Sequence, residues 1–206
     1  MTRSFYSQVI FPRLCDLVLS RSFVAKHRQM LLANAEGDVL EIGFGTGLSL
    51  PYYTDAVRKI TTVDPNVGMH RLAQQRITQS GIEVDQRILS GERLPFEDNR
   101  FDCVISTFTL CSIENVGQAL SEVHRVLRPG GRFLFLEHGR SPEPNVQKWQ
   151  SRLNRLEMLL ADGCRLDRNI KDLIGAQAFS SVEIEEFYLE RIPRTHGYIY
   201  RGIALK

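Results

Sequence analysis

Short apolar runs recur along the chain, separated by longer stretches in which apolar residues return every three or four positions. Val39–Ile42, Lys59–Val63, Val84–Leu89, Phe101–Ile105 and Arg132–Glu137 have the length and β-rich character of strands. Between them lie helical patterns. The clearest carries Val116, Ala119, Leu120, Val123, Val126 and Leu127 on one face and is closed by Pro129-Gly130-Gly131. Asn66 stands where an N-cap opens the helix after the second strand, and Pro51 allows only a short break before a helix after the first. Strands alternating with helices predict an α/β fold around a parallel sheet. Phe5–Leu32 reads as a helical arm with a start or kink at Pro12. A second helical stripe, Val146, Trp149, Leu153, Leu156 and Leu160, follows the fifth strand, and a further helix carries Ile170, Leu173 and Ile174. Two more strands, Ser181–Leu189 and Tyr198–Leu205, close the chain.

Composition narrows this picture little. A chain of 206 residues suits one domain, 1–206, with a core of good size, and 43% hydrophobic with 24% charged residues is an ordinary soluble balance. A net charge of +2 gives no electrostatic footprint for nucleic acid. Cys15, Cys103, Cys111 and Cys164 are scattered without metal-ligand or redox spacing, so no metal is expected and reduced thiols in a cytoplasmic protein are. Val9–Leu19 is apolar but interrupted by Pro12, Arg13 and Asp16, and too short to span a bilayer. At most this arm makes peripheral membrane contact through Val9, Ile10 and Phe11.

The chemistry concentrates where the first strand breaks into glycines at every second position, Gly43, Gly45 and Gly47. A strand running into such a turn at the carboxyl edge of a parallel sheet is where open α/β folds bind ligands. The dinucleotide pattern G-x-G-x-x-G fails here, because Leu48 occupies the place of its third glycine. Glu41, two residues before the first glycine, repels a pyrophosphate and suits a cationic ligand. Asp64 ends the second strand about twenty residues later, the spacing at which a carboxylate meets ribose hydroxyls.

Glu41, Gly43, Gly45 and Gly47 together resemble motif I of the class I S-adenosylmethionine-dependent methyltransferases. Ser90-Gly91-Glu92-Arg93-Leu94-Pro95-Phe96 resembles a second family segment, and Leu127-Arg128-Pro129-Gly130-Gly131 a third. The fold implied is a Rossmann-like three-layer sandwich. Its seven-stranded, mostly parallel sheet has order 3-2-1-4-5-7-6 with the last strand antiparallel, a helical N-terminal arm (1–35) and a helical insertion (139–175) roofing the active site. The cofactor implied is S-adenosyl-L-methionine. Its site falls on Glu41, Gly43, Phe44, Gly45, Thr46 and Gly47, then on Asp64, Pro65 and Met69, and then on Gly91, Glu92, Arg93 and Thr107. Thr109–Ile113, Leu136–Gly139, Trp149-Gln150, Asp162–Leu166 and the segment around Tyr198 are similar to a bacterial branch related to mammalian alkyl-thiol S-methyltransferases.

That resemblance implies transfer of a methyl group to a small-molecule acceptor, first a small thiol or sulfide. The alternatives are a quinone precursor or phospholipid amine, and a non-catalytic cofactor-binding module. His138, at the ligand edge after the fifth strand, is the first candidate for a base, ahead of His196 and Tyr198 and then Asp162. Tyr6, Leu110, Cys111, Trp149 and Cys164 are the expected lining of the acceptor pocket. A covalent role for Cys111 or Cys164 is disfavoured, because the sequence places no base beside them.

Overall fold

The computed structural model describes residues 5–206. Seven strands make one sheet: β1 (Gly37–Ile42), β2 (Val57–Val63), β3 (Val84–Arg87), β4 (Phe101–Thr107), β5 (Leu127–His138), β6 (Ser181–Tyr188) and β7 (Tyr198–Leu205). Their order is β3-β2-β1-β4-β5-β7-β6, the order expected. Strands β1 to β5 run parallel, and β7 runs antiparallel to both β5 and β6. Six helices flank it: α1 (Phe11–Leu19), α2 (Ser22–Leu32), α3 (Val67–Ser80), α4 (Val116–Val126), α5 (Pro144–Leu160) and α6 (Ile170–Gly175). The arm also carries a π-helical turn, Tyr6–Ile10, and Pro12 sits in the first turn of α1, where its missing N–H costs nothing.

The alternation of side chains along each strand divides the core in two. Leu40, Ile42, Val104, Phe133 and Phe135 pack into one layer with α4 and α6. Val39, Ile60, Cys103, Ile105 and Leu134 pack into the other, with α2. Asn66 caps α3, its side chain accepting from the backbone of Gly68 and Met69, and Gly81 ends that helix in the left-handed conformation.

Three elements differ from the pattern. No α-helix follows the glycine turn; a single 3-10 turn, Leu50–Tyr52, carries the crossover to β2. Strand β5 starts at Leu127, before the Pro-Gly-Gly segment, because Leu127 pairs with Phe101 and the register resumes only at Cys103 and Arg132. Residues 128–131 are a bulge inside that strand. Finally, α5 does not bury its apolar stripe: Trp149 is 55% exposed, and Leu156 and Leu160 are also open. The helix is fastened instead by buried Gln150, which donates to Gly139 O and Thr195 O and accepts from Ser141 N.

Candidate active site

A cavity of about 380 Å3 opens at the carboxyl ends of β1, β2 and β4, within the range of small-molecule sites. Its wall includes Gly43, Phe44, Gly45 and Thr46 from the glycine turn, Asp64, Pro65 and Met69 after β2, Gly91 and Glu92 after β3, and Thr107 at the end of β4. Gly43, with φ +71°, cannot be replaced cheaply, because a Cβ there would run into the Thr109 side chain. Gly45, with φ +59°, would place a Cβ no closer than 3.9 Å to any neighbour, the nearest being Gly43 O. Asp64 is poised by the backbone: Oδ2 accepts from Gly45 N at 2.9 Å and Oδ1 from Asn66 N at 2.8 Å.

The segment carrying Gly91 and Glu92 is fixed by Arg125 of α4, which donates to Phe96 O and Leu94 O at 2.8 and 2.9 Å. Glu92 Oε1 accepts from Asn115 N at the start of α4. The loop after β4 is held from two sides. Buried Glu137 accepts from Ser106 Oγ, Thr109 N and Leu110 N, and burial pushes its carboxyl up to about 8. Arg168 donates to Leu110 O at 2.6 Å and to Ile113 O. Phe108 in this loop has φ +53°, a strained value for a bulky residue, and lines the cavity.

Glu41, Gly47 and Arg93 are not on the wall. Glu41 shares the parity of Val39 and so points into the α2 layer, 1% exposed, where Ser49 Oγ and Tyr53 OH donate to its two oxygens at 2.6 and 2.8 Å. Burial raises its pKa to about 7. It braces the turn from behind rather than facing a ligand.

Most of the cover comes from the arm, through Phe11, Cys15, Leu19 and Arg28; of the 139–175 insertion only Asp162 reaches the cavity. The arm is latched at two points. Asp16 accepts from Thr46 Oγ1 at 2.5 Å and from both terminal nitrogens of Arg76, while Arg76 also donates to Thr46 O. Asp162 accepts from Ser7 Oγ at 2.8 Å and from Asn66 Nδ2 at 3.3 Å. Asp162 is therefore a clasp between arm, insertion and α3.

The other expected catalytic groups lie elsewhere. His196 pairs with Glu157 at 3.3 Å and Tyr198 donates to Glu186 at 3.0 Å. Both precede or begin β7, which the strand order places beyond β5 and away from β1. None of the expected acceptor-pocket residues lines the cavity. Tyr6 OH donates to Leu160 O, exposed Trp149 lies under the Arg152 guanidinium, and Leu110, Cys111 and Cys164 are buried. His138 is buried too, its ring stacked on Phe108 with centroids 6.4 Å apart and its Nε2 3.1 Å from Cys164 Sγ. So the cysteines do have a histidine beside them, which linear spacing hid. A hydrogen bond from Cys164, with His138 adding to it, holds the Cys111 thiol well below its ordinary range, and Cys164 is pushed up. Burial pulls His138 down, but the charge and hydrogen bond of Cys111 together with the Glu137 and Glu157 charges outweigh it, and its pKa is raised.

Arg28 is the wall residue that sequence reasoning missed. Four residues after Val24 and four before Leu32, it lies on the buried stripe of α2, and a cation on such a stripe was the available signal. It is 2% exposed, Nη1 donates to Leu19 O, and Nε has no partner among the described residues.

The strand order, the glycine turn and the carboxylate after β2 define the Rossmann-like methyltransferase architecture. A methyltransferase-domain family matches residues 40–135. Thiol S-methyltransferase TMT1B of Rattus norvegicus is 32% identical over 190 residues, covering 85% of this chain and 77% of the relative. The ubiquinone/menaquinone biosynthesis C-methyltransferase UbiE of Hydrogenovibrio crunogenus is 36% identical over 115 residues, 53% of this chain and 45% of that one. Among solved structures, a SAM-dependent methyltransferase of Thermotoga maritima superposes with a TM-score of 0.69 at 19% identity, covering 98% of each chain. This chain belongs to the methyltransferase family.

Proposed function

We propose that the chain transfers the methyl group of S-adenosylmethionine to the sulfur of a small thiol. The observation that carries the cofactor half is the cavity wall, where an uncrowded Gly45, a backbone-poised Asp64 and the partnerless Nε of Arg28 converge. These fit the group: Asp64 accepts from ribose hydroxyls, Gly45 admits close approach, and Arg28 faces a carboxylate. Bound there, the sulfonium supplies a methyl that is already electrophilic. The protein's own work is to place the acceptor in line and exclude water, which the latched arm does. A thiol of pKa about 8.5 is partly ionised at neutral pH and needs little help losing its proton. The thiol acceptor is supported by the 32% identity with a thiol S-methyltransferase across 85% of the chain.

The test is purified protein with methyl-labelled S-adenosylmethionine and a panel of thiols, sulfide, quinols and phospholipid amines, read by mass spectrometry. Methylated thiol is expected; label on a non-thiol alone overturns the acceptor. A second reading, a quinone precursor or lipid amine, is favoured by the apolar side chains that α1 and α5 leave open, Leu14, Leu17, Val18, Leu156 and Leu159 among them. Its discriminator is co-sedimentation with liposomes, and protein left in the supernatant argues against it.

A further inference from the structure

Cys111, His138 and Cys164 come from three separate segments: the loop after β4, the last residue of β5 and the loop after α5. Among the described residues they are the one group of three or more His, Cys, Asp or Glu side chains gathered closely enough to hold a metal ion. One ligand atom from each lies within 4.8 Å of the other two, and all three residues are buried. We propose that this cluster is a zinc site, with two thiolates and one imidazole as ligands and a fourth coordination position left open.

Two observations support it. The geometry is near what zinc demands: Zn–S of about 2.3 Å and Zn–N of about 2.0–2.1 Å in a tetrahedron put ligand atoms about 3.5–3.8 Å apart. His138 Nε2 and Cys164 Sγ are already at 3.1 Å, so only a modest side-chain adjustment brings the set to that spacing. The backbone is built to hold the two sulfurs together. Arg165 N donates to Cys111 O at 3.1 Å, Arg168 clamps the Cys111 loop, and left-handed Asp162 and Gly163 turn the chain into Cys164. A polar, sulfur-rich pocket sealed from water suits an ion whose charge two thiolates cancel.

The donor set selects the class of metal. Two sulfurs and an imidazole prefer zinc and other thiophilic ions over magnesium or calcium, which take oxygen. Loading one Zn2+ on the thiol form releases two protons, one from each sulfur, and leaves a neutral imidazole. Three protein ligands with a vacant fourth position are the pattern of zinc sites that bind small ligands. The site lies one ring behind the cavity: Phe108 stacks on His138, and both it and Ser112, the neighbour of Cys111, line the wall.

The proposal stands apart from the acceptor's identity, and its test reads metal rather than methyl transfer. The full chain, purified reduced and without chelator, is measured for zinc by plasma mass spectrometry. Stripped protein is then titrated with Co2+. Expected are one zinc per chain, and a thiolate-to-cobalt charge-transfer band with tetrahedral visible bands saturating at one equivalent. Cys164→Ser and His138→Ala each weaken Zn2+ binding at least a hundredfold, while Cys15→Ser leaves the stoichiometry unchanged. Wild-type protein that binds no zinc or cobalt overturns the site without recourse to any variant. So does zinc retained by Cys111→Ser/Cys164→Ser, or a Cys111–Cys164 disulfide forming at an unaltered rate in saturating Zn2+.

Discussion

Asp64 and Glu41 show how two acids of one sheet edge take different work. Asp64 lines the cavity, and its two backbone donors fix its direction. Asp64→Ala is expected to weaken binding of S-adenosylmethionine or its demethylated product by about 10–100-fold in calorimetry, the loss of one or two charge-assisted hydrogen bonds at about 1.4 kcal/mol per tenfold. Unchanged affinity removes Asp64 from the site. Glu41 is buried behind the turn with a pKa raised from 4.5 to about 7. Its folded state holds a proton that the unfolded chain has released, so stability falls as pH rises from about 4.5 to 7. Glu41→Gln removes that slope. Thermal melts of the two proteins should converge or cross as pH rises through this window, and parallel curves would contradict it.

At the scale of elements, the arm is the moving part to test. Gly68, in the first turn of α3, lies so close to Gln8 O that a Cβ would collide with the arm's backbone. Gly68→Ala should therefore lift the arm while the sheet stays intact. The expected result is faster amide exchange over residues 6–19 and cofactor binding weakened several-fold, with far-ultraviolet circular dichroism unchanged; an arm as protected as in the native chain contradicts the latch. Asp16→Asn attacks the same latch from the charged side, removing the negative charge and one of the two oxygens that accept from Arg76. The arm's helical character was legible from Pro12 and its apolar periodicity. Its position over the glycine turn was not, because Asp16–Arg76 spans sixty positions of sequence and surface polar pairs leave no periodic trace.

For the whole molecule, the cavity joins parts of the arm, the ends of β1, β2 and β4, the segment after β3 and the insertion, so a ligand held there is coupled to global stability. At a hundred times its dissociation constant the demethylated cofactor product adds about 2.7 kcal/mol, which for a chain of this length is a rise in Tm of about 5–10 °C. An unchanged Tm at that concentration would show that the product does not bind the folded chain preferentially. No helix among the described residues is long and apolar enough to cross a membrane, yet the π-helical turn before α1 meets the end of α5 at the Tyr6–Leu160 hydrogen bond, and α1 and α5 both leave leucines open. Periodicity announced the stripe on α5 but not which way it faced; buried Gln150 decided that, by satisfying two carbonyls that no leucine serves.

By itself the sequence determined where the strands lie, the glycine turn, Asp64 after β2 and the cap at Asn66, because each depends on local propensity or on a spacing within one crossover, while the strand order was implied only by the resemblance of its motifs to a known family. Only the tertiary structure decided that Glu41 turns inward, that Arg28 of a helix far upstream reaches the wall, and that Tyr198 and His196 stand two strands too far along the sheet. It alone gathered Cys111, His138 and Cys164. Contacts between distant segments are set by which way strands and loops are packed together, and one-dimensional spacing carries no record of that packing.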